Sequence, residues 1–166
     1  MIRPPLSAVG EILGIGRRLL RGLRGGRPSR GAMAVVLDTE GRLLLVRSVY
    51  RRAWSPPGGF LADDEDPVAG ALRELWEETG LRGEGRLVHV MSRRGHVEHV
   101  VFADRVSGEA SRHSWEVGEL AWARPGEVRR TGSVATALLA GAGGVLAVRD
   151  GRFVPGAGAV PVPSGP

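Results

Sequence analysis

A chain of 166 residues, 42% hydrophobic and 25% charged, is long enough for one domain with a real core and loose ends. It contains no cysteine, which excludes disulfides, thiolate nucleophiles, iron-sulfur clusters and cysteine-ligated zinc, a zinc deaminase among them, and suits a reducing cytoplasm. The net charge of +5 is local. All 23 basic residues are arginine, and seven of them precede residue 31 beside a single acid, Glu11, so that 16 arginines face 17 acids in the remainder.

The first segment, residues 1–29, contains "PLSAVGEILGIGRRLLRGLRGG", in which Leu6, Val9, Ile12, Leu13, Leu19, Leu20 and Leu23 recur at roughly helical spacing with arginines between. Such a segment can dock as a helix on the body or on a second copy in a homodimer, fray as a leader, or lie on an anionic membrane surface or RNA. Gly10, Gly14 and Gly16 weaken a free helix, and Glu11 breaks the apolar run that a secretory signal needs.

Next come "GAMAVVLD" and "RLLLVRS" around "TEG", which read as a β-hairpin. The stretch 67–79 reads as the clearest helix, with Asp66 as cap, Pro67 in the first turn and Gly80 as a left-handed stop. Valine-rich runs at 86–92 and 96–106 form a second strand pair, and 116–123 is a further strand. Residues 133–140 read as a short helix. The uncharged stretch 131–148 barely reaches membrane-spanning length, and its glycines favour a short helix, a turn and a strand instead. Beyond Arg152, "FVPGAGAVPVPSGP" offers almost nothing to bury and reads as a mobile end. The organisation is therefore an arginine-rich segment at 1–29, a folded body at 30–150 and a proline/glycine tail at 151–166. Strands on both sides of one central helix predict an α+β fold, an α/β/α sandwich on a mixed central sheet.

The helix at 67–79 has its charges in an unfavourable place. On a wheel of about 100° per residue, Val68, Leu72, Leu75 and Thr79 make a narrow stripe, and Glu74, Glu77 and Glu78 group opposite it. The three acids crowd the last two turns, where the helix dipole and their mutual repulsion each cost a few tenths of a kcal/mol, roughly. Arg73 is spaced to reach Glu77, and Gly70 falls on the acid side, where a missing side chain leaves room for something to approach. A solvated acidic patch is one explanation. A divalent cation is the other, since carboxylates three and four residues apart share a face and magnesium takes oxygen ligands.

The flanking residues decide between these. From Gly59 the chain runs through five residues to Glu65, seven more, then Arg73-Glu74-Leu75-Trp76-Glu77-Glu78-Thr79-Gly80-Leu81. This resembles, at every fixed position, the signature of the Nudix (MutT-like) hydrolase family, and chance gives such a match on the order of one in a million. "WSPPGGF" is similar to the entry loop common in that family. Two positions depart from it: Pro56-Pro57 replaces leucine-proline, and Asp64 stands where glycine usually precedes the glutamate.

The resemblance implies hydrolysis of a diphosphate linkage in a nucleoside diphosphate joined to another group, with magnesium or manganese. It implies that Glu74, Glu77 and Glu78 hold metal, that the Gly58 carbonyl adds a ligand, that Arg73 orients Glu77, and that Glu65 supports the loop or the metal cluster. The same physical logic follows from metal chemistry in general. Glu74 is the first candidate for general base, Glu119 the second, with Glu116 and Glu98 behind them. Trp54 and Tyr50, before the glycine pair that ends in Gly59, are candidates to stack on a nucleobase. His96 and Glu98 would share one strand face and His99 the other, which argues against a joint metal site. Nucleotide sugars, ADP-ribose and nucleoside triphosphates are all candidate substrates. A noncatalytic nucleotide-sensing module is the alternative reading.

Overall fold

The chain's computed structural model describes residues 28–50, 52–93, 95–128, 138 and 144–159. In chain order these form β1 (Ser29–Val35), β2 (Leu43–Ser48), β3 (Gly58–Phe60), α1 (Pro67–Thr79), β4 (Arg82–Arg93), β5 (His96–Ser107), β6 (Val117–Ala123), α2 (Pro125–Val128), β7 (Leu146–Arg149) and β8 (Arg152–Pro155). A single 3-10 turn, Ala157–Ala159, follows.

Strands β1 and β5 are apolar on both faces, and that pattern sets the layers. They pair in parallel at the centre of a four-stranded sheet ordered β3-β1-β5-β4, whose other pairings are antiparallel. Strand pairs buried on both sides read as near-continuous aliphatic runs. On one face Ala32, Ala34, Val36, Val101 and Ala103 pack with Leu61, Leu81 and the α1 residues Ala71 and Leu75. On the other, Met33, Val35, Val100 and Phe102 pack with Leu43 and Leu45 of β2, Val128 of α2, Leu138 and Phe153. The result is an α+β sandwich on a mixed sheet, as the sequence predicts, with α1 on one face and β2, α2, Leu138 and Phe153 on the other.

The hairpin of β1 and β2 forms only at its tip. Asp38 accepts from the Arg42 backbone and Leu44 N–H donates to Val36, but the strands then part. Strand β1 enters the mixed sheet, whereas β2 pairs with β6. Between them runs the 54–57 loop, in which Ser55 exchanges both backbone hydrogen bonds with Val46 and Pro57 accepts from Ala34 N–H at 2.8 Å. Two apolar runs around a turn fix the turn, but not how far the strands stay together.

The reading of everything beyond Arg152 as mobile is corrected. Strands β7 and β8 pair antiparallel, and Phe153 is 2% exposed. Its N–H donates to the Gly41 carbonyl at 2.8 Å, where Gly41 has φ +68° in the β1–β2 turn. One aromatic ring with a hydrophobic slot is enough to fix a short segment whose composition otherwise looks unfoldable. Residues 160–166 lie outside the described residues. So do residues 1–27, which carry nearly all of the arginine-rich segment and its membrane, RNA and homodimer readings, and all of the 133–140 helix except Leu138, which is helical and buried. Among the described residues no helix is long and apolar enough to cross a membrane.

Replacing Phe153 with alanine is expected to destabilise the fold by about 3–4 kcal/mol in a urea or guanidinium titration, a loss that a mobile tail would not show.

Candidate active site

Helix α1 is fixed at both ends by its own sequence. Asp66 caps it by accepting from Ala69 N–H at 2.9 Å, and Gly80 stops it at φ +76° with its N–H on the Trp76 carbonyl. Thr79 returns its hydroxyl to the Leu75 carbonyl at 2.6 Å, so this polar residue is buried on the core side without an orphaned group. The acids are thereby turned to the edge of the sheet, beneath the glycines of β3.

Arg73 gathers most of the charge. Its Nε and one terminal nitrogen hold Glu65 at 2.7 and 3.3 Å, and its other terminal nitrogen holds Glu74 at 2.8 Å and Glu77 at 3.0 Å. Burial alone would lower the pKa of this guanidinium, but the Glu65 bonds and the Glu74 and Glu77 charges outweigh it and raise it. Glu65 also accepts from Ala62 N–H at 2.9 Å, so its carboxylate closes the loop ahead of the helix. Arg30 clamps the same loop by donating to the carbonyls of Asp63 at 2.7 Å and Glu65 at 3.3 Å.

Gly59 lies directly on Glu74: a Cβ there would stand 2.4 Å from Oε1. Gly58 N–H donates to Glu78 Oε2 at 3.0 Å, and a Cβ on Gly58 would meet the Ala32 carbonyl at 2.6 Å. The glycine pair is what lets backbone approach the two inner carboxylates. Gly70 works differently from the expectation. It is buried, and a Cβ would lie 2.2 Å from Leu61 Cδ2, so it makes room for a core leucine and not for a ligand.

Burial pushes the Glu74 carboxyl above its ordinary value, with Arg73 pulling it down and Glu77 and Glu65 adding to the rise. Burial likewise pushes Glu78 up to about 8, helped by the charges of Glu74, Glu116 and Glu77 and opposed by the Gly58 N–H. Glu78 therefore carries most of the uncompensated cost of gathering these acids.

The remaining sequence candidates scatter. Glu119 pairs with Arg47 across β6 and β2, in register, and is half-exposed. Glu116, ranked below it from sequence, is the later acid whose charge acts on Glu78. Glu98 lies on the face of β5 that carries Val100 and Phe102, away from α1, where it bonds His96 at 2.8 Å while His96 meets Ser29 at 2.8 Å. His99 turns to the other face and bonds the Gly31 carbonyl. Trp54 packs on the core with the Arg47 guanidinium over its ring at 5.5 Å, whereas Tyr50 is 59% exposed and meets Trp115. Sequence reading missed Arg30, counted there with the basic segment, and Trp115. The one available signal for Trp115 was a large aromatic residue within the polar stretch "SRHSWEVGE".

Among the described residues no three acids or histidines are gathered closely enough to hold a metal as they stand. The donor set nonetheless fits a hard divalent cation. It is oxygen only, shares one helix face, and includes two shielded carboxylates, Glu74 and Glu78, raised in pKa first by burial and then by the neighbouring acids.

The sequence profile of the NUDIX domain matches residues 27–140. This chain belongs to the Nudix family. It is 37% identical over 132 residues to a MutT-like protein of Streptomyces ambofaciens, covering 75% of this chain and 85% of that one. It is 41% identical over 54 residues to the phosphatase NudJ of Escherichia coli K12, covering 31% of this chain and 35% of that one. The crystal structure of a MutT Nudix hydrolase from Burkholderia pseudomallei superposes with a TM-score of 0.52 at 27% identity, over 58% of this chain and 82% of that one. The chain is accordingly a Nudix hydrolase, of the class that cleaves pyrophosphate linkages in nucleotide derivatives.

Two expectations follow. In chelator, the folded protein retains a proton on Glu78 that the unfolded chain releases near 4.5, so stability is greatest below that value and falls as pH rises through about 8. Glu78→Gln is expected to abolish that decline, on the order of 4 kcal/mol between pH 5 and 8, in melting curves between pH 5 and 9. Gly59→Ala is expected to displace the Glu74 carboxylate and cost activity at least 100-fold, roughly, with a much smaller change in melting temperature, because the strain falls on a functional side chain and not on the core.

Proposed function

We propose that this Nudix hydrolase cleaves the phosphoanhydride bond of a nucleoside diphosphate joined to another group, with magnesium or manganese held by Glu74, Glu77, Glu78 and the Gly58 carbonyl. The observation that carries this reading is the acid face of α1 pressed against the bare backbone of Gly58 and Gly59, with more negative charge than Arg73 balances. When bound, the metal neutralises diphosphate oxygens and lowers the pKa of a coordinated water.

The chain's own groups have separable parts in this scheme. Arg73 holds Glu74 and Glu77 on one side of the helix and spends its other edge on Glu65. Glu65 braces the loop through Arg73 and the Ala62 N–H, and so supports the acid cluster from behind. We take Glu74 as the proton acceptor, the shielded carboxylate that Arg73 fixes beneath Gly59. Glu119, which pairs with Arg47 across β6 and β2, and Glu116, whose charge adds to the rise at Glu78, stand behind Glu74 for that role.

In a panel of nucleotide sugars, ADP-ribose and nucleoside triphosphates with magnesium or manganese, turnover of at least one member is expected, abolished by chelator and by the double change Glu77→Gln and Glu78→Gln. Glu74→Gln is expected to lower kcat by about 100- to 10,000-fold while KM changes little. A wild-type protein inert against the whole panel sinks the reading.

A further inference from the structure

Two aromatic rings stand exposed beside one another at the surface. Tyr50 is 59% and Trp115 43% exposed, and the rings meet at 90° with centroids 5.8 Å apart. Large aromatics dominate cores and interfaces, and an adjacent exposed pair leaves apolar surface in water unless something covers it.

Their position is fixed by backbone. The strap that follows β5 is clipped to the last turn of α1, Ser111 N–H to the Thr79 carbonyl at 3.0 Å and His113 N–H to the Glu78 carbonyl at 3.1 Å. Trp115 comes two residues later, a reach of at most about 7 Å. Ser114 then turns the chain by accepting from Glu116 N–H at 3.2 Å. From the other side, Val49 N–H donates to the Glu116 carbonyl at 2.9 Å and brings Tyr50 alongside. The pair therefore flanks Glu116, on a strap tied to the Glu78 carbonyl. It sits at the Glu78 end of the acid face.

We propose that Tyr50 and Trp115 form a right-angled aromatic corner that holds the substrate's nucleobase beside the diphosphate site. A planar base stacked on one ring presents its edge to the face of the other, which suits the ring quadrupoles. Stacking reads the plane of a base and not its pattern of donors and acceptors, so the corner accepts every base and favours purines for their area. Trp54 has no part in this, since it is spent on the core and on Arg47. The proposal rests on the hydrolase reading only for where the diphosphate lies.

The test is calorimetric titration with AMP and with ribose 5-phosphate, which differ by the base alone, on the full-length wild type and on Trp115→Ala, Trp115→Phe and Tyr50→Ala. Trp115→Ala is expected to weaken AMP about tenfold and to collapse the preference for AMP over ribose 5-phosphate. Trp115→Phe, which keeps a ring, is expected to restore most of it. Equal weakening of both probes, or no change in either, overturns the proposal. So does a wild type that elutes as a dimer while Trp115→Ala elutes as a monomer, because the pair would then be a contact between copies. If Trp115→Ala does not fold, Tyr50→Ala and Trp115→Phe decide by the same ratio. Base-dependent AMP binding by a protein that hydrolyses no diphosphate would sink the hydrolase reading and leave this one standing.

Discussion

Arg73 is the interaction on which the site depends. One planar guanidinium faces three carboxylates, Glu65 along one edge and Glu74 and Glu77 along the other. A lysine could not do this, because an ammonium is a point charge, whereas the guanidinium offers donors in a rigid fork. The fork also divides the acids by role. Glu65 is locked into the loop, Glu77 stays half-exposed at the rim, and Glu74 is held beneath the glycine pair. Glu78 is the acid that the fork does not reach, and it accepts instead from the backbone N–H of Gly58. Its pKa is raised chiefly by burial, and the neighbouring acids that no second cation balances add to the rise.

Holding acids at such density needs a rigid surround. The 54–57 loop is stitched to β2 through Ser55 and to β1 through Pro57, so the glycines that follow arrive with their backbone already placed. Arg30, at the start of β1, holds the far side of the same loop through the carbonyls of Asp63 and Glu65. Hydrogen bonds to charged groups are worth about 1.5–3 kcal/mol each, so Arg30 and Arg73 together outweigh the few tenths per pair by which the acids repel along the helix. The core supplies the rest: small residues, Ala32, Ala34 and Ala71, let α1 lie close on the sheet, and Leu61 tucks into the space over Gly70. The acid face is thus carried on a buttressed helix and not on a loop.

The other wall of the site is set by the strap that leads into β6. Between Arg47 and Ser48 the β2–β6 register shifts, so that Arg47 opposes Glu119 while Ser48 opposes Val117. Glu119 is thus the last β6 residue in the regular register, opposite a cation on the neighbouring strand, and the irregularity begins just beyond it. The shift places Val49 against the Glu116 carbonyl and Tyr50 against Trp115. A bulge commonly re-aims a side chain in this way, and it is invisible in the alternation of a short strand.

What lies within one helical repeat or one turn was legible from sequence. Asp66, Pro67 and Gly80 bounded α1, the wheel separated its core stripe from its acids, and the Arg73–Glu77 contact followed from spacing, because an α-helix has a fixed period and local contacts need no knowledge of the rest of the chain. The mixed-sheet sandwich was legible for the same reason, from runs of strand-forming residues around one helix. Contacts between distant segments were not. The parting of β1 from β2, the burial of Phe153, the Glu119–Arg47 pair, the Arg30 clamp and the Tyr50–Trp115 corner each join residues far apart in the chain, and strand registers and interlayer packing bring such pairs together only once the whole core has formed. Sequence by itself determined which helix face carries the acids; tertiary structure decided what surrounds it, since a period fixes direction within an element and only packing fixes its neighbours.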